Sequence, residues 1–440
     1  MTVAEIITNL KGIVGEERVV SQEGKHLLGN NGDVKVFPQT EEEICRIVKF
    51  ANDSGKKIVV AGGETKRGFG GLIESSDLIL SLSEYKGIVE HTVGDMTITV
   101  KAGTPYKELQ NYLATHNQMI ALDAKWMEKA TIGGIIATND CGPKRLGYGS
   151  ARDSVIGMRL VYPDGRIIRA GGKVVKNVAG YDMNKLFIGS MGTLAVLSEI
   201  TLKLRPLAKS EKLTLVSSHE QNLSDIRLLA TQILDSTLEP ISLELLNVQM
   251  SERLTGEKKY TLAIGFEDVE SSVNFQVDML HKMKPDTCQI RVYQQKEAQS
   301  FWENISTSGP NGINPINQTA LQATLKIGIK NLDVLPVIKK MEELQSAYHI
   351  NIDAHGGLGH GIGFAYMKGE NENVVKAIVD LREFVKGLGG YVVITHLPYV
   401  QRQKIQVYGD KPSHFFLLEG IKSKVDPNNV LNYKRFVGGI

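Results

Sequence analysis

The sequence predicts an α+β fold: a glycine-rich α/β domain over residues 1–207, an α+β cap domain with an antiparallel sheet over 208–398, and a C-terminal helical segment and tail, 399–440, packing back on the first domain. Three observations carry this. Glycine clusters recur up to Gly192 and then thin out past Pro206. Beyond that proline, strand patterns alternate with helical ones in a β-α-β rhythm. The ending, KVDPNNVLNYKRFVGGI, follows a helix and is forced into irregular chain by Pro427 and its asparagines.

The first domain is predicted element by element. An amphipathic helix runs from Val3 to Leu10, and a turn at Gly29–Gly32 precedes a strand, Val34–Phe37. Thr40 with Glu43 reads as a capping box, and Ile44, Ile47, Val48 and Ala51 share the face of the helix that Gly55 stops. Lys57–Ala61 is a short strand that runs into AGGETKRGFGG, residues 61–71, with five glycines in eleven residues. Free N–H groups in such a loop can face an anion. The loop is neither a Walker A sequence nor GxGxxG, and taken alone a plain surface loop is the favoured reading. Leu78–Leu82 and Met96–Ala102 read as strands, and Thr104-Pro105 as an N-cap and first helical position for a helix carrying Leu109, Tyr112 and Leu113. TIGGIIATND (131–140) and CGPKRLGYGSARD (141–153) follow, then a hairpin of Val155–Tyr162 and Arg166–Ala170 about Pro163-Asp164-Gly165. The stretch from Gly171 to Leu204 ends in a strand opened by Gly192; alone it is equally a buried strand entered by a tight turn.

In the cap, strands are expected at Leu213–Ser217, Ile241–Val248, Tyr260–Phe266, Gln289–Tyr293, Leu321–Ile329, Ile350–Ala354, Gly361–Met367 and Tyr391–Thr395. Helices are expected at Leu223–Leu234, through the 270s, at Leu335–Tyr348 and near 373–386.

Composition narrows the function. With 42% apolar and 23% charged residues, the 440-residue chain can bury a sizeable core. A formal charge of +2 gives no field to attract nucleic acid or anionic lipid. Cys45, Cys141 and Cys288 are far apart with no CxxC, which argues against a zinc site or an iron–sulfur cluster held by this chain alone and fits a reducing compartment. The N-terminus does not read as a signal peptide, and no run of about 18 apolar residues exists to span a membrane. A cytoplasmic location is expected, with membrane association only through partner subunits.

Taken together and in this order, AGGETKRGFGG, TIGGIIATND, YGSARDSVIGMRLVYPDGRIIRAGG and KNVAGYDMNKLFIGSMGTLAVLSEITLKL resemble the FAD-binding oxidoreductases of the vanillyl-alcohol-oxidase, or PCMH, type over residues 30–210. The resemblance implies two α/β subdomains gripping FAD. Gly62, Gly63, Glu64 and Thr65 would hold the pyrophosphate through backbone N–H groups. Thr131, Gly133, Gly134, Thr138 and Asn139 would line the ribityl chain and flavin ring. Asp182, Gly192, Thr193 and Ile200 would complete the site, Ile200 near the adenine. Members that tether FAD use a histidine in the first glycine loop, and residues 61–71 contain none, so FAD is expected without a covalent bond. The ending resembles the smaller flavin-binding E subunit of bacterial glycolate oxidase, with Tyr433 and Lys434 in place of a Pro-Gly. That likeness implies a complex with a larger flavin-binding subunit and an iron–sulfur subunit, oxidising a small 2-hydroxy acid to a 2-oxo acid.

Such chemistry needs a cation for the carboxylate, a base or metal for the hydroxyl proton, and the α-hydrogen facing the flavin. The segment IDAHGGLGHGIGFAYMK (352–368) is the candidate, with His355 and His360 close in sequence. Larger flavin subunits resembling this chain carry a His-Ala-Gly-Asp-Gly-Asn-x-His motif here and a later Glu-His-Gly. Aligned on His355, this chain has Leu358 and Ile362 at the acid and second histidine, and Thr395-His396-Leu397-Pro398 for the later motif. No metal is therefore expected. His355, His396 and Arg402 are the candidate catalytic residues. A non-catalytic subunit that relays electrons or scaffolds a complex stands as the alternative.

Overall fold

A computed structural model describes residues 1–173, 180–218, 223–314 and 320–440. The KNVA portion of the fourth motif, residues 176–179, lies outside the described residues.

Two small sheets build the first domain. One has four strands in the order Val19–Ser21, Asn31–Val36, Ser75–Ser81, Ile58–Ala61; its last three are parallel because the helix Glu41–Asp53 provides a crossover. The capping box that starts that helix forms: the Thr40 hydroxyl accepts from the Glu43 N–H and the Glu43 carboxylate from the Thr40 N–H. The other sheet is antiparallel, in the order Ile88–Thr92, Thr97–Lys101, Val196–Lys203, Val155–Val161, Ile167–Gly171. One apolar core serves both and includes Val34, Ile44, Leu78, Ile98, Leu160 and Ile200. The helix after Thr104 starts one residue later than expected, at Tyr106. The Thr104 hydroxyl does not cap it; it donates to the Lys101 carbonyl and accepts from the Gly87 N–H, both nearer in the turn that ends the preceding strand.

The cap is an eight-stranded antiparallel sheet in the order Cys288–Tyr293, Ser210–Ser218, Thr261–Asp268, Ser242–Leu246, Asn351–Gly357, Ile362–Gly369, Leu321–Gly328, Tyr391–His396. Helices Leu223–Leu234, Glu270–Met283, Val334–Tyr348 and Asn371–Gly387 cover one face with the larger apolar core. The other face carries a smaller cluster under helix Gln295–Ser306, an element the strand–helix rhythm did not reveal, and otherwise turns to the first domain. The strand expected to reach Val248 stops at Leu246, because Asn247 caps a new helix, Val248–Thr255, by accepting from the Met250 N–H.

The tail completes the first domain. Val430 and Leu431 are buried in its core, and the chain bonds to Ile58 on both sides, Ile58 N–H to the Val430 carbonyl and Asn432 N–H to the Ile58 carbonyl, each 2.8 Å. Buried Lys422 ties the preceding helix down by donating to the Thr193 carbonyl (2.8 Å) and to Asp426 (2.6 Å). Lys434 sits at φ +56°, the left-handed conformation a glycine would favour at the position where it replaces one.

Candidate active site between the two domains

A cleft with about 910 Å³ of space, part of it open to solvent, lies between the two sheets of the first domain. Its walls come from Val59, Val60 and Ile79 on one side and Ala102, Ala195 and Leu197 on the other, with the loop Gly62–Arg67 and the helix Ile132–Thr138 at its ends. In the loop, Glu64 takes φ +55°. Among the described residues no protein acceptor takes the N–H of Gly63, Glu64, Thr65 or Lys66. Four successive free donors in a concave turn suit the oxygens of a phosphate.

The glycines here do two jobs. A Cβ on Gly62 would lie 2.2 Å from the Thr131 hydroxyl and one on Gly63 would lie 1.7 Å from the Lys129 carbonyl, so both are required by protein packing between two loops. A Cβ on Gly134 would meet only the Thr131 hydroxyl, at 3.3 Å, so that glycine keeps open the cleft itself. The Glu64 carboxylate is used in the protein: burial pushes its pKa up, but ion pairs with Arg67 and Lys35 hold it below the usual range.

Of the residues the resemblance implied, Gly62, Gly63, Glu64, Thr65, Thr131, Gly133, Gly134, Thr138 and Gly192 line this cleft. Asn139, Asp182, Thr193 and Ile200 do not. Asn139 ends the short helix in a left-handed turn, and Asp182 stands exposed beside Lys185. The Thr193 hydroxyl is spent on the Ser190 carbonyl, and Ile200 points into the domain core from mid-strand. The sequence reading missed Asn30, Arg67, Asn432 and Arg435, which also line the cleft. Asn432 accepts from the Val60 N–H (3.0 Å) and donates to the Met191 carbonyl (2.8 Å), bridging the two subdomains from the tail. The tail motif was the one signal that could have pointed to Asn432 and Arg435.

A second cavity, with about 530 Å³ of space that runs out into solvent, abuts the first and shares Thr65, Lys66 and Thr138 with it. Its remaining walls come from the first domain (Phe69, Lys125, Trp126, Asp140) and from the open face of the cap sheet (Thr324, Lys326, Phe364, Thr395, His396). Lys66 pairs with Asp140 at 3.0 Å. Lys326 has no acidic partner among the described residues and reaches only the Asn139 carbonyl, at 3.5 Å. The buried Thr324 hydroxyl has no partner among the described residues. Burial holds His396 down to about 3, so its ring is neutral at pH 7.

The other two candidates are placed differently. His355 is fully buried behind the cavity wall, its Nδ1 2.5 Å from Glu244 and its Nε2 3.2 Å from the Tyr366 hydroxyl. Arg402 lies outside both cavities, and its guanidinium donates to the carbonyls of Gly71, Gly68, Leu397 and Leu28. It clamps the first glycine loop to the cap's exit and is not placed to hold a substrate carboxylate.

The model of the FAD-binding-domain family matches residues 33–171, the segment that builds the cleft. The protein is an FAD-dependent oxidoreductase. Its chain is 28% identical to glycolate oxidase subunit GlcD of Bacillus subtilis over 425 residues, covering 91% of this chain and 88% of that protein. It is 37% identical to glycolate oxidase subunit GlcE of Escherichia coli over 150 residues, covering 34% of this chain and 42% of that protein. The full-length likeness is thus to GlcD, and the likeness to the E subunit that the ending suggested is confined to about a third of the chain. Among solved structures, 4-ethylphenol oxidase from Gulosibacter chungangensis superposes with a TM-score of 0.75 at 13% identity, covering 98% of this chain and 96% of that one; this shows the shared fold.

Proposed function

We propose that this FAD-dependent oxidoreductase oxidises a small 2-hydroxy acid to the 2-oxo acid in the cavity between flavin cleft and cap, as a flavin subunit that passes its electrons to a partner carrying an iron–sulfur cluster. The observation that carries this reading is the cavity itself: cationic, walled on one side by the cap sheet, and sharing Thr65, Lys66 and Thr138 with the flavin cleft. A carboxylate in a low-dielectric pocket needs a fixed cation, and Lys326 with the unpartnered Thr324 hydroxyl beside it supplies one. Glycolate, the substrate class in the names of both glycolate oxidase subunits above, fits that size and charge.

The free N–H groups of the 63–66 loop are assigned to the FAD pyrophosphate, with Arg67 and Arg435 as nearby cations. Thr131, Gly133, Gly134 and Thr138 flank the remaining cofactor. Bound FAD supplies a two-electron acceptor ring; everything else is done by the protein.

The test is anaerobic mixing of the flavin-loaded protein with glycolate and with D-lactate. Loss of flavin absorbance within a single turnover, with one 2-oxo acid formed per flavin, is expected. A flavin that stays oxidised in the presence of every small 2-hydroxy acid overturns the reading. That result would favour a relay or scaffold role instead, which has its own supporting observation: Leu358 and Ile362 provide neither the acid nor the second histidine, Leu358 being buried in the apolar core of the cap.

A further inference from the structure

Behind the cavity a line of polar side chains crosses the cap sheet. Lys125 Nζ stands on the cavity wall, 3.4 Å from the centre of the Phe364 ring, and donates to the Tyr366 hydroxyl at 2.9 Å. Tyr366 lies 3.2 Å from His355 Nε2, and His355 Nδ1 lies 2.5 Å from Glu244 Oε1. The other Glu244 oxygen has no hydrogen-bond partner among the described residues, and neither has His360 Nε2; the two face each other at 4.0 Å. His360 keeps 11% of its side chain open to solvent, against 0% for His355 and 1% for Glu244. The chain is a product of strand register. Asp353 pairs with Tyr366 and His355 with Phe364, while Leu246 pairs with His355 and Glu244 with Gly357, so Glu244, His355 and Tyr366 fall on one face of three neighbouring strands.

We infer that the Lys125 amine is the base that takes the hydroxyl proton of the substrate, and that Tyr366, His355 and Glu244 form the path by which that proton leaves the cavity toward solvent beside His360. This rests on the 2-hydroxy-acid reading above. The donor pattern suits it. A neutral amine at Lys125 accepts the proton as the substrate O–H bond breaks. The α C–H bond breaks with both electrons going to the oxidised flavin, and the C–O single bond becomes the carbonyl. The new ammonium passes a proton to the Tyr366 oxygen as the phenol proton moves to His355 Nε2. The imidazole releases its Nδ1 proton to Glu244, whose second oxygen gives its own to a water beside His360, the ring whose Nδ1 accepts from the Ile362 N–H and which therefore turns a donor toward that gap. No net charge is left on the path.

The electrostatics agree with this geometry. Burial lowers Lys125 to about 7; Asp140 and Cys141 raise it and Lys326 and Lys66 lower it. Burial also pushes Glu244 well up and His355 well down, so the pair rests as a carboxylic acid beside a neutral imidazole, the proton arrangement a relay needs at rest. His360 is held down to about 4.

The experiment uses the flavin-loaded full chain and two readouts. In anaerobic single-turnover reduction by glycolate or D-lactate, Lys125→Met should slow flavin reduction by roughly 10²- to 10⁴-fold, as loss of a positioned base does, with little change in the apparent substrate affinity. Lys125→Arg should be equally slow, because a guanidinium keeps its proton. Tyr366→Phe should slow the step while leaving flavin content native. A Lys125→Arg protein at near-native rate overturns the inference, since a fixed cation would then suffice. The second readout needs no turnover. Oxalate binding is followed by titration calorimetry at pH 8 in two buffers of different ionisation enthalpy. The native protein should take up about one proton per oxalate as Lys125 becomes charged, and Lys125→Met should take up none. Equal uptake by both also overturns it. If no 2-hydroxy acid reduces the native protein, the functional reading itself fails, and the calorimetry still decides whether Lys125 is a proton acceptor.

Discussion

The flavin cleft and the cap cavity sit side by side, share three residues, and are built on opposite plans. The cleft is made of backbone: four free N–H groups in one turn, two loops that touch because Gly62 and Gly63 have no Cβ, and a short helix that leaves room at Gly134. The cavity and the polar line behind it are made of side chains brought from far apart in sequence. Lys125 and Tyr366 are 241 residues apart, and Glu244 and His355 are 111 apart. A backbone site needs particular residues in a row and leaves a readable word in the sequence. A side-chain site needs only that strands pair in the right register, and leaves isolated letters.

The sharpest way to break this contrast is at the glycines. Gly63→Val should abolish flavin retention and also lower the melting temperature, because the new side chain collides with the Lys129 carbonyl. Gly134→Val should abolish retention while the apo protein melts as the native apo protein does, its Cβ meeting only the Thr131 hydroxyl. Flavin occupancy after gel filtration and apo-protein melting curves check both. Full occupancy in Gly134→Val would mean the cofactor does not lie against that helix.

Next in size is the clamp. Arg402→Met leaves the carbonyls of Gly71, Leu397 and Leu28 without their charged donor, the Gly68 carbonyl keeping the Leu397 N–H, and each orphaned buried group costs about 1–3 kcal/mol. A loss of several kcal/mol in denaturant unfolding is expected, with the affinity for oxalate unchanged. Weakened oxalate binding at native stability would return Arg402 to the substrate site.

Acid should act on the cap side. Burial holds His360 to about 4 and His396 to about 3, against an ordinary value of 6.5. Between pH 6.5 and 4 the unfolded chain binds protons that the native protein refuses, so stability is lost as pH falls through that window. At 1.36 kcal/mol per unit the two histidines each contribute roughly 3 kcal/mol to the loss across that window. Urea midpoints at pH 7 and pH 4.5 measure it, and His360→Asn should flatten the slope. An unchanged slope in that variant would mean water reaches the His360 ring.

The smallest effect is expected where the two regions meet the tail. Asn432→Ala removes the bonds to Val60 and Met191, at a cost of about 1–3 kcal/mol, and should weaken flavin retention without touching single-turnover rates at saturating flavin. A slowed rate at full occupancy would show that the tail positions the ring as well as closing the cleft.

The sequence by itself determined the elements and the cofactor. Apolar periodicity and cap residues such as Thr40 with Glu43 are local, so they specify helices and strands before any tertiary contact forms. The glycine motifs are local too, and nine of the thirteen cofactor residues that their family resemblance implies line the cleft. Tertiary structure alone decided the rest. Ile200 and Thr193 belong to the right motif, yet strand parity and a turn point their side chains elsewhere. Asn247 ends a strand by capping a helix that apolar pattern could not distinguish from strand continuation. Lys125, Glu244 and Tyr366 carry no motif at all; they meet His355 because the pairing of three strands and the packing of one loop bring them within hydrogen-bond reach, and such meetings depend on register, which is fixed by the whole sheet rather than by any segment of it.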